Sequence, residues 1–131
     1  MLRPTLPPEL DDLLHRPNPA VVATLRPDGS PHTVATWYLW DGRRVLLNMD
    51  ESRARLRFMR RDPRVALTVL DGESWYRHVS LVGRVTELVD DGELADIDRL
   101  ARHYTGEPFR DREHRRVSAR VEVDSWHTWP R

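Results

Sequence analysis

Two short turns constrain the first half of this chain more than any other feature. Pro27-Asp28-Gly29-Ser30 and Asp41-Gly42 each separate two runs of strand-forming residues. Glycine supplies the positive φ that such tight connections need, and a loop this short returns the chain antiparallel to itself. Val21, Ala23 and Leu25 alternate before the first turn. A strand is predicted from about His32 to Trp40 after it, and another from Arg44 to Met49 after the second. The His32–Trp40 run has Thr, Val and aromatic residues on both faces, which suits a strand buried on two sides or lining a barrel.

The pattern then changes period. Glu51 to Arg61 contains no Gly or Pro and stops at Pro63, so it reads as a helix, with Asp50 or Ser52 placed to cap it. Val65–Leu70 returns to strand, and a long strand over Tyr76–Leu88 is interrupted near Gly83. Asp90-Asp91-Gly92-Glu93 resembles a capping box. Leu94, Ile97, Leu100, Ala101 and Tyr104 follow it at helical spacing, and Arg116–Val123 alternates as a last strand. A short helix over Pro8–His15 puts Leu10, Leu13 and Leu14 on one side and ends at Pro17 and Pro19. The expected fold is mainly β: one domain over residues 1–131, a six-stranded antiparallel split β-barrel with about three helices.

Composition narrows the chemistry. There is no cysteine, which excludes disulfides, thiolate metal sites and cysteine nucleophiles. The net charge is zero, which argues against a general nucleic-acid binder. No apolar run approaches the roughly 20 residues of a membrane span. Met1–Leu14 is proline-rich and acidic, unlike a signal peptide, so a cytoplasmic protein is expected. All 21 basic residues are arginine, which excludes lysine Schiff-base chemistry and leaves arginine to bind any phosphate. The six histidines show no metal-ligand spacing, and no Gly-x-Ser-x-Gly elbow, P-loop or Gly-x-Gly-x-x-Gly motif is present.

One segment concentrates positive charge. Glu51–Arg64 holds six arginines against two carboxylates. On a helical wheel Arg53, Arg57, Arg60 and Arg61 share one face, while Arg55 falls within the apolar arc of Ala54, Leu56, Phe58 and Met59. A partly buried guanidinium needs an anion, either a nearby carboxylate or a ligand phosphate at the helix start.

The ordered pieces Gly29-Ser-Pro-His32, Thr36-Trp37, Leu47-Asn48-Met49, Ser52-Arg53, Asp62-Pro-Arg-Val65, Tyr76-Arg77-His78 and Gly83-Arg84-Val85 resemble the pyridoxamine 5′-phosphate oxidase-like split-barrel family. In detail they look most like its actinobacterial branch, which binds the deazaflavin coenzyme F420 in place of FMN. The resemblance spans about residues 18 to 126. It implies a phosphate contact from Ser52 and Arg53, with Ala54 standing where the family has lysine and Arg55 supplying the second cation. It further implies that Val34, Thr36 and Trp37 lie against the cofactor ring, and that Asn48 and Met49 sit near the phosphate-side chain. His78 would be a polar group near the ring and a candidate proton donor, and Trp126 the family's C-terminal aromatic. Tyr76 and Arg77 would contact substrate or the coenzyme tail, which Arg57, Arg60 and Arg61 would guide.

The activity implied is hydride transfer between reduced F420 and a small unsaturated substrate, in a homodimer with cofactor sites at its interface. The alternatives are an FMN-dependent oxidase-like enzyme and a non-catalytic flavin or F420 carrier. No metal, nucleic acid or membrane partner is implied.

Overall fold

Both predicted turns form as their residues dictate. Gly29 and Gly42 adopt φ of 85° and 92°. The Asp28 carboxylate accepts from the Ser30 backbone N–H at 2.9 Å, and Asp41 accepts from the N–H groups of Arg43 and Arg44 at 2.8 and 2.6 Å. These local bonds close the loops before any tertiary packing is required. The computed structural model describes residues 5–129. Residues 1–4 and 130–131, the two ends of the expected domain and the start of the Met1–Leu14 stretch, lie outside the described residues.

The chain runs α1 (Pro8–His15), β1 (Ala20–Leu25), β2 (Pro31–Thr36), β3 (Leu39–Trp40), β4 (Arg44–Asp50), α2 (Ala54–Arg61), β5 (Arg64–Leu70), β6 (His78–Asp90), α3 (Ala95–Thr105) and β7 (Arg116–Trp129). The strands form one antiparallel sheet in the order β2-β1-β5-β6-β7-β4-β3. The split-barrel expectation holds, with seven strands instead of six. The predicted His32–Trp40 strand divides at Trp37-Tyr38, so β2 and β3 become the two edges of the sheet. Those edges are joined by that two-residue link, and the barrel stays open there. The last strand runs six residues beyond the expected Val123.

The barrel interior is apolar. Val22, Tyr38, Val45, Leu47, Met49, Val69, Val79 and Ala119 are among its fully enclosed side chains. Leu13 and Leu14 of α1 and Leu56 and Met59 of α2 join the same core, as the helical patterning required. No described helix is long and apolar enough to cross a membrane.

The long pair β6–β7 bends by shifting register at Val82/Gly83 and again at Val85/Glu87. The bend brings the backbones so close that a Cβ on Gly83 would lie 2.0 Å from the Glu122 carbonyl oxygen. A side chain there forces the strands apart. Gly83→Ala is therefore expected to destabilise the protein by roughly 2–3 kcal/mol in urea denaturation, the scale of an overpacked core.

Candidate functional site

Strand β4 is buried on both faces, for different reasons. Val45, Leu47 and Met49 point into the barrel. Leu46 and Asn48 point the other way, where α3 lies across the sheet, and Leu46 clusters with Ile97 and Leu100. Trp37, Leu39 and Phe109 pack around that cluster.

Polar groups at this outer interface are tied together. Asn48 and Ser118 are paired neighbours on β4 and β7, 5% and 1% exposed. Asn48 Nδ2 donates to Ser118 Oγ at 3.0 Å and to Asp91 Oδ2 at 3.1 Å. Asp91 also accepts from the backbone N–H groups of Asp96 and Ile97, at 3.2 and 3.0 Å, in the first turn of α3. It is Asp91 that satisfies the helix start, because the residue before α3, Leu94, has a left-handed φ of 60° and an apolar side chain. Ser118 Oγ donates on to Asp96 at 2.7 Å.

Arg116 extends this chain of bonds toward solvent. Its Nε donates to Asn48 Oδ1 at 2.7 Å, and its guanidinium lies 4.7 Å from the centre of the Phe109 ring. Burial pushes its pKa below the ordinary arginine value. It makes no ion pair with a described carboxylate.

Arg116 opens onto a pocket of about 580 Å³ at the split of the barrel. Arg55 of α2 lines the same pocket. Arg55 is half-buried, and no described residue pairs with it or bonds to it. Burial lowers its pKa, and the charges of Arg53 and Arg116 push the same way, while Asp50 opposes them. The expected caps of α2 are also engaged elsewhere. Asp50 accepts from the Ser52 backbone at 2.8 Å and from the Ser52 hydroxyl, and it pairs with Arg53 at 3.4 Å. No side-chain bond comes from the N-cap residue, Arg53, so the α2 N-terminus lacks the predicted Asp or Ser cap.

Beside the arginines the pocket lining is aromatic. Trp37 stacks on Tyr104 with centroids 5.3 Å apart and planes 12° apart, and Phe109 meets the Trp37 edge at 6.1 Å. The Tyr104 hydroxyl donates to the Asn18 carbonyl at 2.7 Å, and burial raises its pKa to about 12, so it stays protonated. Among the described lining residues there is no Asp, Glu or His.

The structure therefore assembles Thr36, Trp37, Asn48 and Arg55 of the sequence-derived set in one pocket. The others lie elsewhere. Val34 faces the core opposite Val22, and Met49 is wholly enclosed in it. Ser52 and Arg53 are turned to Asp50. Tyr76 is exposed and stacked on Trp75, and Arg77 pairs with Asp71 at 3.3 Å. Arg77 and Trp126 line a second cavity beside α1, of about 770 Å³. His78 begins β6 opposite Trp129, outside the first pocket, with its Nδ1 buried and without a hydrogen-bond partner. Three lining residues, Arg116, Tyr104 and Phe109, carry no local signal for the pocket: helical spacing marks Tyr104 only as part of a helix face, and alternation marks Arg116 only as a strand start. Among the described residues no group of His, Asp or Glu is arranged to hold a metal ion.

Residues 6–130 match the pyridoxamine 5′-phosphate oxidase family. The chain belongs to that family. Among solved structures of this fold, an F420 reductase is 32% identical, with 93% of this chain and 98% of that one aligned at a TM-score of 0.84. A conserved hypothetical protein of Mycobacterium tuberculosis is 28% identical over 98% of this chain and 89% of its own, with a TM-score of 0.73. General stress protein 26 of Bacillus anthracis shares the fold alone, at 13% identity, 92% and 90% coverage and a TM-score of 0.68. No curated protein matches the sequence.

In this family member the pocket rests on Asp91, which serves the α3 start and Asn48 together. Asp91→Ala is expected to cost about 2–3 kcal/mol of stability by chemical denaturation, since it strands buried donors as well as removing a cap.

Proposed function

We propose that the protein is an oxidoreductase that holds the deazaflavin coenzyme F420 in the pocket at the barrel split and passes a hydride from it to a small unsaturated substrate. The single observation that carries this reading is that Arg55 and Arg116, both partly buried and neither paired with a carboxylate, face the same pocket as the Trp37–Tyr104 wall. Two cations short of an anion, beside a flat aromatic surface, fit a ligand built from a phosphate and a planar ring. The 32% identity to an F420 reductase supports the deazaflavin over FMN. Bound there, the coenzyme supplies the hydride chemistry, and the protein supplies orientation and electrostatics.

Each residue has a part. Arg55 and Arg116 would grip the phosphate, helped by N–H groups at the start of α2. Trp37, Tyr104 and Phe109 would lie about the ring and shield it from water. Ile97 and Leu100 line the pocket from α3. With no described carboxylate or imidazole in the lining, the product's proton would come from solvent. A cytoplasmic location is part of the same proposal.

A second copy of the chain belongs to the proposal. Two registered rows cross five strands on the outer face of the sheet: Ala35-Val21-Thr68-Ser80-His127 and Thr33-Ala23-Ala66-Val82-Ser125. Neither row holds an Asp, Glu or Arg, in a chain that is 32% charged. Val21 and Val82 are 37% and 45% exposed there. A self-complementary two-fold contact would cover this face.

Fluorescence titration is expected to show F420 binding more tightly than FMN. Arg55→Ala and Arg116→Ala should each weaken F420 binding by about 1.5–3 kcal/mol, the scale of a lost charged hydrogen bond. If both bind like the parent, the phosphate assignment falls. Oxidation of reduced F420 with enones or nitroaromatics should separate an enzyme from a carrier, since a carrier would bind without turnover. Val82→Arg is expected to convert a dimer to a monomer in sedimentation analysis, and a parent that sediments as a monomer would end the two-fold proposal.

A further inference from the structure

The Asn48 side chain is a neutral link between two charged groups. On one side stands the Asp91 carboxylate, which only accepts hydrogen bonds. On the other stands the Arg116 guanidinium, which only donates. The amide meets both correctly, with Nδ2 toward Asp91 and Ser118 and Oδ1 toward Arg116. Its orientation is therefore fixed, because a flipped amide would set donor against donor and acceptor against acceptor.

That arrangement leaves Arg116, although partly buried, without an ion pair to a described residue. Arg53, Arg64, Arg77, Arg84, Arg112 and Arg115 all lie within ion-pair distance of an aspartate. Arg116 is held by an amide and an aromatic ring instead. Its Nε is engaged by Asn48, and neither terminal nitrogen bonds to a described residue, so both remain available as a fork for an incoming anion. Asp50, the residue opposite it in the β4–β7 register, is engaged with Ser52 and Arg53.

We infer that Asn48 is a positioning residue which fixes the Arg116 fork toward the pocket while keeping the Asp91 carboxylate from neutralising it. The inference rests on the phosphate reading of the pocket and deepens it by saying why the site holds an asparagine and not an acid. An aspartate at this position has nearly the same shape. It would pair directly with Arg116 and compete with the ligand's anion, while its other oxygen would face the Asp91 carboxylate, acceptor against acceptor.

The test is a double-mutant cycle read by F420 binding fluorescence. Asn48→Asp is expected to weaken binding roughly tenfold or more, as Arg116→Ala does. In the Arg116→Ala background, Asn48→Asp should cost less than half of what it costs in the parent on a logarithmic scale, the remainder being direct repulsion between the new carboxylate and the coenzyme, since Asn48 also lines the pocket. A full additional loss there would mean that the effect of Asn48 does not run through Arg116, and would overturn the inference. So would Asn48→Asp binding like the parent while Arg116→Ala is impaired. If Arg116→Ala itself binds like the parent, the phosphate reading fails first, which is a different outcome.

A measurement on the unaltered protein covers the case in which Asn48→Asp does not fold. The Arg116 Nε–H signal in NMR should be protected from solvent exchange without ligand, and should stay protected when F420 binds. Exchange at the rate of a free arginine would overturn the inference.

Discussion

The Asn48 amide lies where β4, β7 and the start of α3 meet, and a polar group at that depth constrains everything around it. Left without partners it would cost several kcal/mol in desolvation. It finds them only if β4 and β7 keep the register that pairs it with Ser118, and only if α3 begins where Asp91 can reach both the amide and the helix N–H groups. One satisfied network thus fixes strand register, helix position and the direction of Arg116 together. Apolar packing alone, between Leu46, Ile97 and Leu100, would allow α3 to slide along the sheet.

The opening of the barrel is held by a second set of bonds. Trp37 and Tyr38 span the edges β2 and β3, and their side chains have different principal partners, although both rings adjoin Tyr104. Tyr38 is buried, its hydroxyl donating to the Leu14 carbonyl at 2.8 Å at the end of α1. Trp37 instead lies against Tyr104 of α3, whose own hydroxyl accepts from the Tyr38 backbone N–H at 3.3 Å and donates to Asn18. The aromatic wall of the pocket is thereby anchored to α1, α3 and both sheet edges at once. A flat surface pinned from several directions is what a cofactor ring needs for repeatable placement.

Much of this was legible from residue order. The Asp28-Gly29 and Asp41-Gly42 turns, the apolar stripe of α1 and the position of Arg55 on the inward side of α2 follow from local rules, and the structure reproduces them. What could not be read depended on distant partners. Nothing local in His32–Trp40 announces that the strand breaks at Trp37, because the partners that hold Trp37 and Tyr38, Tyr104 of α3 and the Leu14 carbonyl of α1, are distant in sequence. Arg116 looked like any strand-starting arginine, since its partners, Asn48 and Phe109, stand 68 and 7 positions away. Ser52 and Arg53 carry the motif that suggested a phosphate clamp, yet the neighbouring Asp50 engages them both. A motif states which residue types are present, whereas local hydrogen bonding decides which of them face the cavity.

The make-up of the pocket lining carries one more physical consequence. Its two cations are guanidinium groups, and Tyr104 holds its proton to about pH 12. No described group bordering the cavity changes charge across the physiological range. Affinity for an anionic coenzyme should then be flat between mildly acidic and mildly alkaline buffers. Any bend in a rate-versus-acidity profile would report on the reactants or on the coenzyme's own ionisation, leaving the protein as a constant electrostatic background.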